Sequence, residues 1–305
     1  MKKFICVMLI FCICILSLSC KSSVPVQELT EHADDSASDS AYRRTVLYYA
    51  TEDGMMVPVM KKIPWEEGIG KAALSYLVSN YDNDLSASKL GVATVIPQGT
   101  EVDLKIEDTN AVVTLINLPE QSKDAQKNMI TAIVNTLTEF ASIKTVTIIA
   151  DGNTLLKETS KLMLNVEDSD VSVSSGSAHH MTLYFPNQQA SLNVPITRYC
   201  ESEPTFEKAV EELVNGPENE NLLNCFPEGT KLNSAKISEN TAVVDLSSEF
   251  AQVSDTDGLM SACYECLYLT ASEYAVIYDV EVRIDGNTCD LSSVSVFAPM
   301  YANEF

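Results

Sequence analysis

The sequence predicts an α/β protein of the α+β type, built from two tandem copies of one small domain. Each copy should have a mainly antiparallel sheet with two helices on one face. Two observations predict this fold: four short motifs occur twice in the same order, and the strand and helix patterns between them repeat as well. The motif pairs are Val57-Pro58 with Val194-Pro195, residues 96–100 with 226–230, 110–115 with 241–246, and 151–154 with 285–288. A repeat of this length is a whole domain with its own core, and the chain length fits two such domains.

Each copy begins with two extended segments. β-branched and aromatic residues fill residues 44–50 of the first copy and 181–186 of the second, which is typical of strands. A turn and a second extended segment follow, over residues 56–63 and 192–199. The pattern therefore predicts a strand, a turn and a second strand at the start of each copy.

A first helix comes next in both copies. In the first copy we expect it over residues 66–79, preceded by Pro64 and Trp65. In the second copy Thr205 should cap the helix and Gly216-Pro217 should end it, because glycine favours the position after a helix and proline cannot continue one. Apolar residues at helical spacing between these signals give the helix one buried face.

The second half of each copy should contain a strand pair, a longer helix and a last strand. The strand pairs are residues 101–107 with 111–116, and 231–238 with 242–246. The longer helices are residues 122–140 and 255–271, and the last strands are residues 145–150 and 279–284. An Asp-Gly turn closes each copy, at Asp151 and Asp285, and such a turn needs no chemical role.

The N-terminus predicts a lipoprotein signal peptide. Lys2 and Lys3 precede an apolar segment, residues 4–18, which is shorter than the roughly 20 residues that a membrane-spanning helix needs. The segment ends at Ser19-Cys20, which resembles a bacterial lipobox. We therefore expect Cys20 to carry the lipid, palmitate included, and to become the mature N-terminus. Plain secretion and an uncleaved anchor are the alternatives.

The domain boundaries follow from composition. We assign residues 1–20 to the signal peptide, 21–42 to a flexible tether, 43–165 to the first domain, 166–180 to a Ser-rich linker and 181–305 to the second domain. The tether and the linker are too polar to bury enough apolar surface to offset the entropy of ordering. Because few contacts should be needed across the linker, we also expect residues 181–305 to fold cooperatively on their own.

The net charge of −23 excludes one class of partner. Proteins that bind nucleic acid by neutralising phosphates need clustered Lys and Arg, which this acidic chain does not offer. The same charge argues against docking on anionic lipid headgroups. Solubility of an exported protein is the simplest interpretation of the charge.

The cysteines outside the signal peptide all lie in the second copy. They are Cys200, Cys225, Cys263, Cys266 and Cys289. An odd number, confined to one of two homologous domains, is not a disulfide framework for the fold. Cys263 and Cys266 have the CxxC spacing of redox and zinc sites, but they fall inside a predicted helix, at positions that we align with Ala132 and Asn135. We interpret them as small buried residues, while a Cys200–Cys225 or a Cys263–Cys289 bridge stays open.

Histidine, the usual acid–base residue at neutral pH, is confined to the tether and the linker. Because His32, His179 and His180 are the only histidines, a Ser-His-Asp, Cys-His or His-zinc site has no ordered imidazole. The adjacent carboxylates Glu211 and Glu212 are typical of a solvated helix face. The acidic runs at residues 82–84 and 255–258 lack the Gly and Glu of a calcium loop. Nucleotide-binding fingerprints are also absent from the sequence. We therefore predict no enzyme activity, no cofactor and no metal site.

Several of these motifs resemble the GerMN domain, which occurs in tandem in lipoproteins of a sporulation and spore-germination family. They are the end of the first helix at residues 211–217, the Pro-x-Gly-Thr turns at 97–100 and 227–230, and residues 136–140, 244–250 and 280–286. The resemblance covers about residues 47–154 and 183–288, and it implies a fold similar to the ring-building motifs of sporulation machinery. The first copy departs from the pattern, since it lacks Gly-Pro after its first helix and has lost Asp-Leu-Ser-x-x-Phe near residues 115–119. The five cysteines are not part of the family pattern either.

The resemblance implies a lipid-anchored structural or assembly protein outside the cytoplasmic membrane of a sporulating Gram-positive bacterium. Its expected partners are that membrane, through the lipid, and proteins of the cell envelope or the sporulation machinery, with homo-oligomers possible and nucleic acid excluded. The alternative is a cell-envelope accessory lipoprotein that binds peptidoglycan or a small ligand.

Overall fold

Each copy of the repeat is built around two sheets in the computed structural model of the protein. The structure describes residues 41–65, 68–167, 179–253, 258–289 and 299–305. Cys20, His32, the predicted signal peptide, and nearly all of the predicted tether and linker lie outside these ranges. Residues 39–305 form one compact unit. Within the described ranges, no helix is long and apolar enough to cross a membrane.

The first copy opens with a three-stranded sheet. In this sheet β1 (Tyr42–Thr51) pairs antiparallel along nearly its whole length with β2 (Met56–Pro64). The short β3 (Val92–Ala93) pairs with the end of β1. Two helices, α1 (Ile69–Ser75) and α2 (Tyr81–Ser88), lie between β2 and β3 in the chain.

The second sheet of the first copy has four strands. Its spatial order is β4 (Glu101–Glu107), β5 (Asn110–Ile116), β6 (Thr145–Ala150) and β7 (Asn153–Thr159). The helix α3 (Lys123–Thr138) connects β5 to β6, and these two strands are parallel because a helical crossover returns the chain to the same end of the sheet. The other pairs in the sheet are antiparallel, so the predicted fold class is confirmed.

The second copy repeats this plan. Its first sheet is the pair β8 (His179–Pro186) and β9 (Asn193–Cys200), and α4 (Phe206–Asn215) follows. Its second sheet has the order β10 (Leu232–Ser238), β11 (Thr241–Leu246), β12 (Asp279–Ile284) and β13 (Asn287–Thr288). Between the parallel strands β11 and β12 lie a 3-10 helix (Ser248–Gln252) and α5 (Leu259–Ser272).

The first helix of the second copy has the predicted ends. The Thr205 hydroxyl accepts a hydrogen bond from the Lys208 N–H at 3.2 Å, which satisfies one of the free amides of the first turn. Gly216 ends the helix with a φ of +89°, and a Cβ there would lie 2.6 Å from the Asn224 amide nitrogen. Glycine is therefore required at this position both by conformation and by space.

The first helix of the first copy differs from the prediction. Of the predicted residues 66–79, only Ile69–Ser75 are helical, and residues 66 and 67 lie outside the described ranges. The chain then bends, and a second helix begins because the Asn80 side chain accepts hydrogen bonds from the Asp82 and Asn83 N–H groups at 3.1 and 3.0 Å. The acidic residues weighed as a calcium loop thus form the first turn of α2.

The alignment of the two long helices is corrected by a shared contact. The Tyr48 N–H donates to the Thr136 hydroxyl of α3 at 3.1 Å, and the Tyr184 N–H donates to the Thr270 hydroxyl of α5 at 3.2 Å. With Thr136 matched to Thr270, Cys263 corresponds to Met129 and Cys266 to Ala132. The predicted matches, Ala132 and Asn135, were shifted by about one helical turn, because apolar residues recur at that interval.

Two residues assigned to the linker belong to a strand. β8 begins at His179, so His179 and His180 pair with Cys200 and Tyr199 of β9 and are exposed on the strand. The sequence prediction missed this extension because Ser-rich segments and strand ends have similar polarity. Neither histidine belongs to a cluster of metal ligands, since no such cluster occurs in the described part of the chain.

Candidate functional site at the junction of the two copies

The two copies exchange short segments at their junction. We name residues 162–167, which follow β7, the first tail, and residues 299–305 the second tail. The first tail pairs with β9 of the second copy, where the Glu167 N–H donates to the Thr197 carbonyl at 3.0 Å. The second tail pairs with β2 of the first copy, where the Phe305 N–H donates to the Met60 carbonyl at 3.0 Å. Both pairings are parallel bridges. The two copies are therefore in direct contact through both tails.

An asparagine in each tail fastens this exchange. The Asn165 side chain bonds to both the N–H and the carbonyl of Met56 and donates to the Pro195 carbonyl, each at 2.8 Å. Asn303 bonds to the N–H and carbonyl of Asn193 at 2.8 and 3.0 Å and donates to the Pro58 carbonyl at 2.9 Å. Each asparagine thus holds one strand of its own copy and a proline carbonyl of the other copy.

The strand bridges and the asparagine bonds of this junction have counterparts with the two copies exchanged. Pro58 and Pro195 are the prolines of the repeated Val-Pro motif, and Asn165 and Asn303 occupy matching places in the tails. An interface is isologous when residue i of one subunit contacts residue j of the other and residue j of the first contacts residue i of the second, as in a twofold dimer. The junction therefore joins the copies like the subunits of a symmetric dimer.

A tyrosine and a glutamate from each copy meet at the same junction. The Tyr48 hydroxyl donates to Glu139 Oε1 at 2.7 Å, and the Tyr184 hydroxyl donates to Glu273 Oε1 at 3.0 Å. Burial raises the pKa of both tyrosines, and the neighbouring glutamates raise it further. Burial also raises the pKa of the Glu273 carboxyl, while its hydrogen bond to Tyr184 and the charge of Lys161 act in the opposite direction. The hydroxyls accordingly act as hydrogen-bond donors at neutral pH.

The raised pKa of Glu273 predicts a pH-dependent stability. The folded protein holds the Glu273 proton more tightly than the unfolded chain, so this group lowers the free energy of unfolding as pH rises above about 4.5, its ordinary value. Lys161, His180 and Glu139 also face this carboxyl and are unchanged by the substitution. We expect Glu273→Gln, which cannot ionise but still accepts from Tyr184, to gain stability relative to wild type between pH 4.5 and 7.

Urea unfolding at a series of pH values measures this difference. Glu211→Gln is the control, because the Glu211 side chain is 55% exposed. Parallel stability curves for wild type and Glu273→Gln across the range would contradict the expectation.

A buried arginine connects the first tail to the second copy. The Arg198 guanidinium of β9 bonds to Glu167 Oε2 at 2.8 Å, to Glu212 Oε2 at 3.2 Å and to the Gly216 carbonyl at 2.7 Å. It also lies over the Phe185 ring at 5.7 Å. The side chains of Arg198 and Glu167 are each only 8% exposed. Glu212, which the sequence analysis placed on a solvated helix face, is thus a partner of the buried cation.

The second copy also contains a buried thiol cluster. Among the described residues neither the Cys200–Cys225 nor the Cys263–Cys289 disulfide is present. Instead, the Cys263 thiol donates to the Cys225 carbonyl at 2.8 Å. Burial raises the pKa of Cys263 and of Cys266. Cys263 of the CxxC pair thus contacts Cys225 in the core of the second copy.

One open groove lies beside α4 in the second copy. It has a volume of about 490 Å³, and its walls come from α4 and the start of β10. Lys208 on this wall is occupied by ion pairs with Glu211 and Glu212 at 2.9 and 2.8 Å. Thr230, the threonine of the Pro-x-Gly-Thr turn, lines the groove with a hydroxyl that has no hydrogen-bond partner among the described atoms.

With the fold and the junction established, comparison with known proteins identifies the family. A family model described as "Germane: Sporulation and spore germination" matches residues 46–156 and 182–290, one match for each copy. The chain belongs to the Germane family. Both Germane matches end close to the Asp-Gly turn of their copy, and the tails of the junction lie beyond them.

Two relatives agree with this assignment. The spore germination protein GerM of Bacillus subtilis (strain 168) is 26% identical over 275 residues, which cover 83% of this chain and 74% of GerM. The solved structure of the tandem GerMN domains of the B. subtilis sporulation protein GerM superposes with a TM-score of 0.65 at 22% identity. That match covers 86% of this chain and 99% of the solved chain. The resemblance to tandem GerMN domains is therefore confirmed, and the protein has a role in sporulation or spore germination.

Proposed function

We propose that this Germane protein is a lipid-anchored scaffold on the extracytoplasmic face of the cell membrane. It acts in sporulation or germination by binding other proteins and catalyses no reaction. The observation that carries the proposal is the reciprocal junction, which uses Asn165, Asn303 and Arg198 to hold two copies as one unit. Held together in this way, the two copies present their second sheets in a fixed arrangement, and a scaffold needs such fixed surfaces.

The two copies offer different outer surfaces on their second sheets. Helices cover one face of each sheet, and the outward residues of the other face are half-buried. On the central strands of the first copy this face carries Val112, Thr114, Thr147 and Ile149, which are uncharged, whereas the edge strand β4 adds Asp103 and Lys105 beside them. In the second copy the matching strands carry Asp245, Glu281 and Arg283, and Arg283 pairs with Glu281 at 2.8 Å. An uncharged strip along these central strands, on a chain with a net charge of −23, supports contact with a protein partner there.

Site-specific photo-crosslinking in sporulating cells tests the protein-binding proposal. A photoreactive amino acid replaces Thr147 in one variant and Glu281, its counterpart in the second copy, in the matched control. We expect covalent adducts with a protein of the envelope or sporulation machinery from position 147, in sporulating and not in vegetative cells. Equal adducts from both positions, or none from position 147, would refute the proposed role of this face.

The lipid anchor has a separate test at Cys20. We expect Cys20→Ala to leave the uncleaved precursor or to release the protein into the medium, because the thiol that carries the lipid is missing. Cys14→Ala is the matched control, since Cys14 lies in the same apolar segment before the lipobox. Membrane fractionation and gel migration measure the outcome. A Cys20→Ala protein that fractionates and migrates like wild type would rule out lipidation at this residue.

A further inference from the structure

Three thiols converge in the core of the second copy. Cys225 lies in the loop between α4 and β10, and Cys263 and Cys266 lie one helical turn apart on α5. The Cys263 thiol donates to the Cys225 carbonyl at 2.8 Å, and the Cys266 thiol also acts electrostatically on Cys225. Their exposed fractions are 3% for Cys225, 1% for Cys263 and 0% for Cys266. Cys225 is therefore the shared neighbour of both α5 cysteines.

Packing alone does not require sulfur at these positions. In the first copy the corresponding residues are Val95, Met129 and Ala132, and the last two are fully buried in the same kind of core. One copy thus has three buried cysteines in this part of its core, where the other has none. The described residues form no cluster that could hold a metal ion, which leaves sulfur–sulfur bonding as the chemistry that this arrangement suits.

We propose that Cys225 forms a disulfide with Cys263 or Cys266 by exchange with an organic disulfide donor such as oxidised glutathione. The Cys225 thiolate attacks the S–S bond of the donor, which gives a mixed disulfide and releases one donor thiol. The thiolate of Cys263 or Cys266 then attacks the Cys225 sulfur, forms the protein disulfide and releases the second donor thiol. The two cysteines lose two electrons and two protons, and the donor takes up both to become two thiols.

The bridge ties two distant parts of the copy together. Residues 225 and 263 are 38 positions apart, and the loop with Cys225 leads directly into the Pro-x-Gly-Thr turn. A cross-link over such a span restricts the unfolded chain, so the oxidised protein should melt about 5–15 °C above the reduced protein. A bridge between Cys263 and Cys266 would lie within one helix and would not have this effect.

Refolding in defined redox buffers tests the proposal. The protein is refolded from urea in glutathione mixtures ranging from reducing to oxidising, and then alkylated. Intact mass counts the free thiols, and peptide mapping locates the bridge. We expect the oxidised protein to lose two thiols, to yield a linked peptide pair containing Cys225 and the α5 cysteines, and to show the higher melting temperature.

Variants separate this bridge from the other cysteines. Cys225→Val carries an apolar residue, as the first copy does at position 95, so it should fold and lose the melting shift. Cys200→Ser, the matched control outside the cluster, should keep the shift. The proposal is overturned if wild type retains all its thiols in oxidising buffer, if the bridge uses Cys200 or Cys289, or if Cys225→Val keeps the shift.

Discussion

Replacing Arg198 with alanine should lower the free energy of unfolding by about 3–5 kcal/mol, because it leaves a buried carboxylate without its cation. Glu167 bonds to Arg198 at 2.8 Å. Because the Glu167 side chain is only 8% exposed, little water can replace the guanidinium as its partner. The Gly216 carbonyl at the end of α4 would lose its donor at the same time. Urea or guanidinium unfolding followed by circular dichroism measures this loss.

An exposed arginine provides the control for this substitution. Arg283 pairs with Glu281 at the same distance, 2.8 Å, but the two side chains are 38% and 31% exposed. Arg283→Ala should therefore cost less than about 1 kcal/mol. If the two alanine variants lose similar stability, the buried Arg198–Glu167 pair stabilises the fold no more than the exposed pair does. The role assigned to Arg198 would then be wrong.

Asn303→Ala should cost about 2–4 kcal/mol, the second largest effect that we expect. The substitution leaves the Asn193 N–H, the Asn193 carbonyl and the Pro58 carbonyl without their partner, and each such buried group costs about 1–3 kcal/mol, partly recovered by relaxation. Because Asn303 joins the copies, the unfolding transition should also become broader or split into two. Calorimetry resolves both changes.

The reciprocal geometry supplies an internal comparison. Asn165→Ala removes the matching bonds to Met56 and Pro195, so its cost should resemble that of Asn303→Ala. Asn287→Ala, at an exposed turn where the side chain makes one bond of 3.3 Å to the Asp285 carbonyl, should cost a few tenths of a kcal/mol. A sharp single transition with wild-type stability in Asn303→Ala would show that the tail does not couple the copies.

The elements with strong local signals could be predicted from the sequence. β4, β6 and β12 have the predicted bounds, and the Thr205 cap and Gly216 stop lie where the residue types required them. α1 was predicted too long because its apolar pattern continues past Ser75, while the side chain of Asn80 starts a new helix. A short-range capping bond thus outweighed the periodicity from which the prediction was made.

The junction could not be predicted, and the physical reason is distance along the chain. The bond from Asn303 to the Pro58 carbonyl joins residues 245 positions apart, and nothing local to either residue signals it. Arg198 gave no signal either, since a single arginine in a strand is common. Only the repeated Val-Pro motif and an asparagine at corresponding places in both tails pointed to this region. These two features indicate a junction only once it is known that the two copies pack against each other.

The reciprocal tails carry a consequence for how the two halves can change. In a homodimer every mutation appears on both sides of the interface, so any new side chain must suit two places at once. When the two halves lie in one chain, each half can change independently of the other, and the reciprocal contacts of the tails are kept. One half contains five cysteines and carries Asp245, Glu281 and Arg283 on the central strands of its outer sheet face, whereas the other half contains none and has uncharged residues on those strands. The fused pair is a symmetric body whose two ends have become chemically distinct.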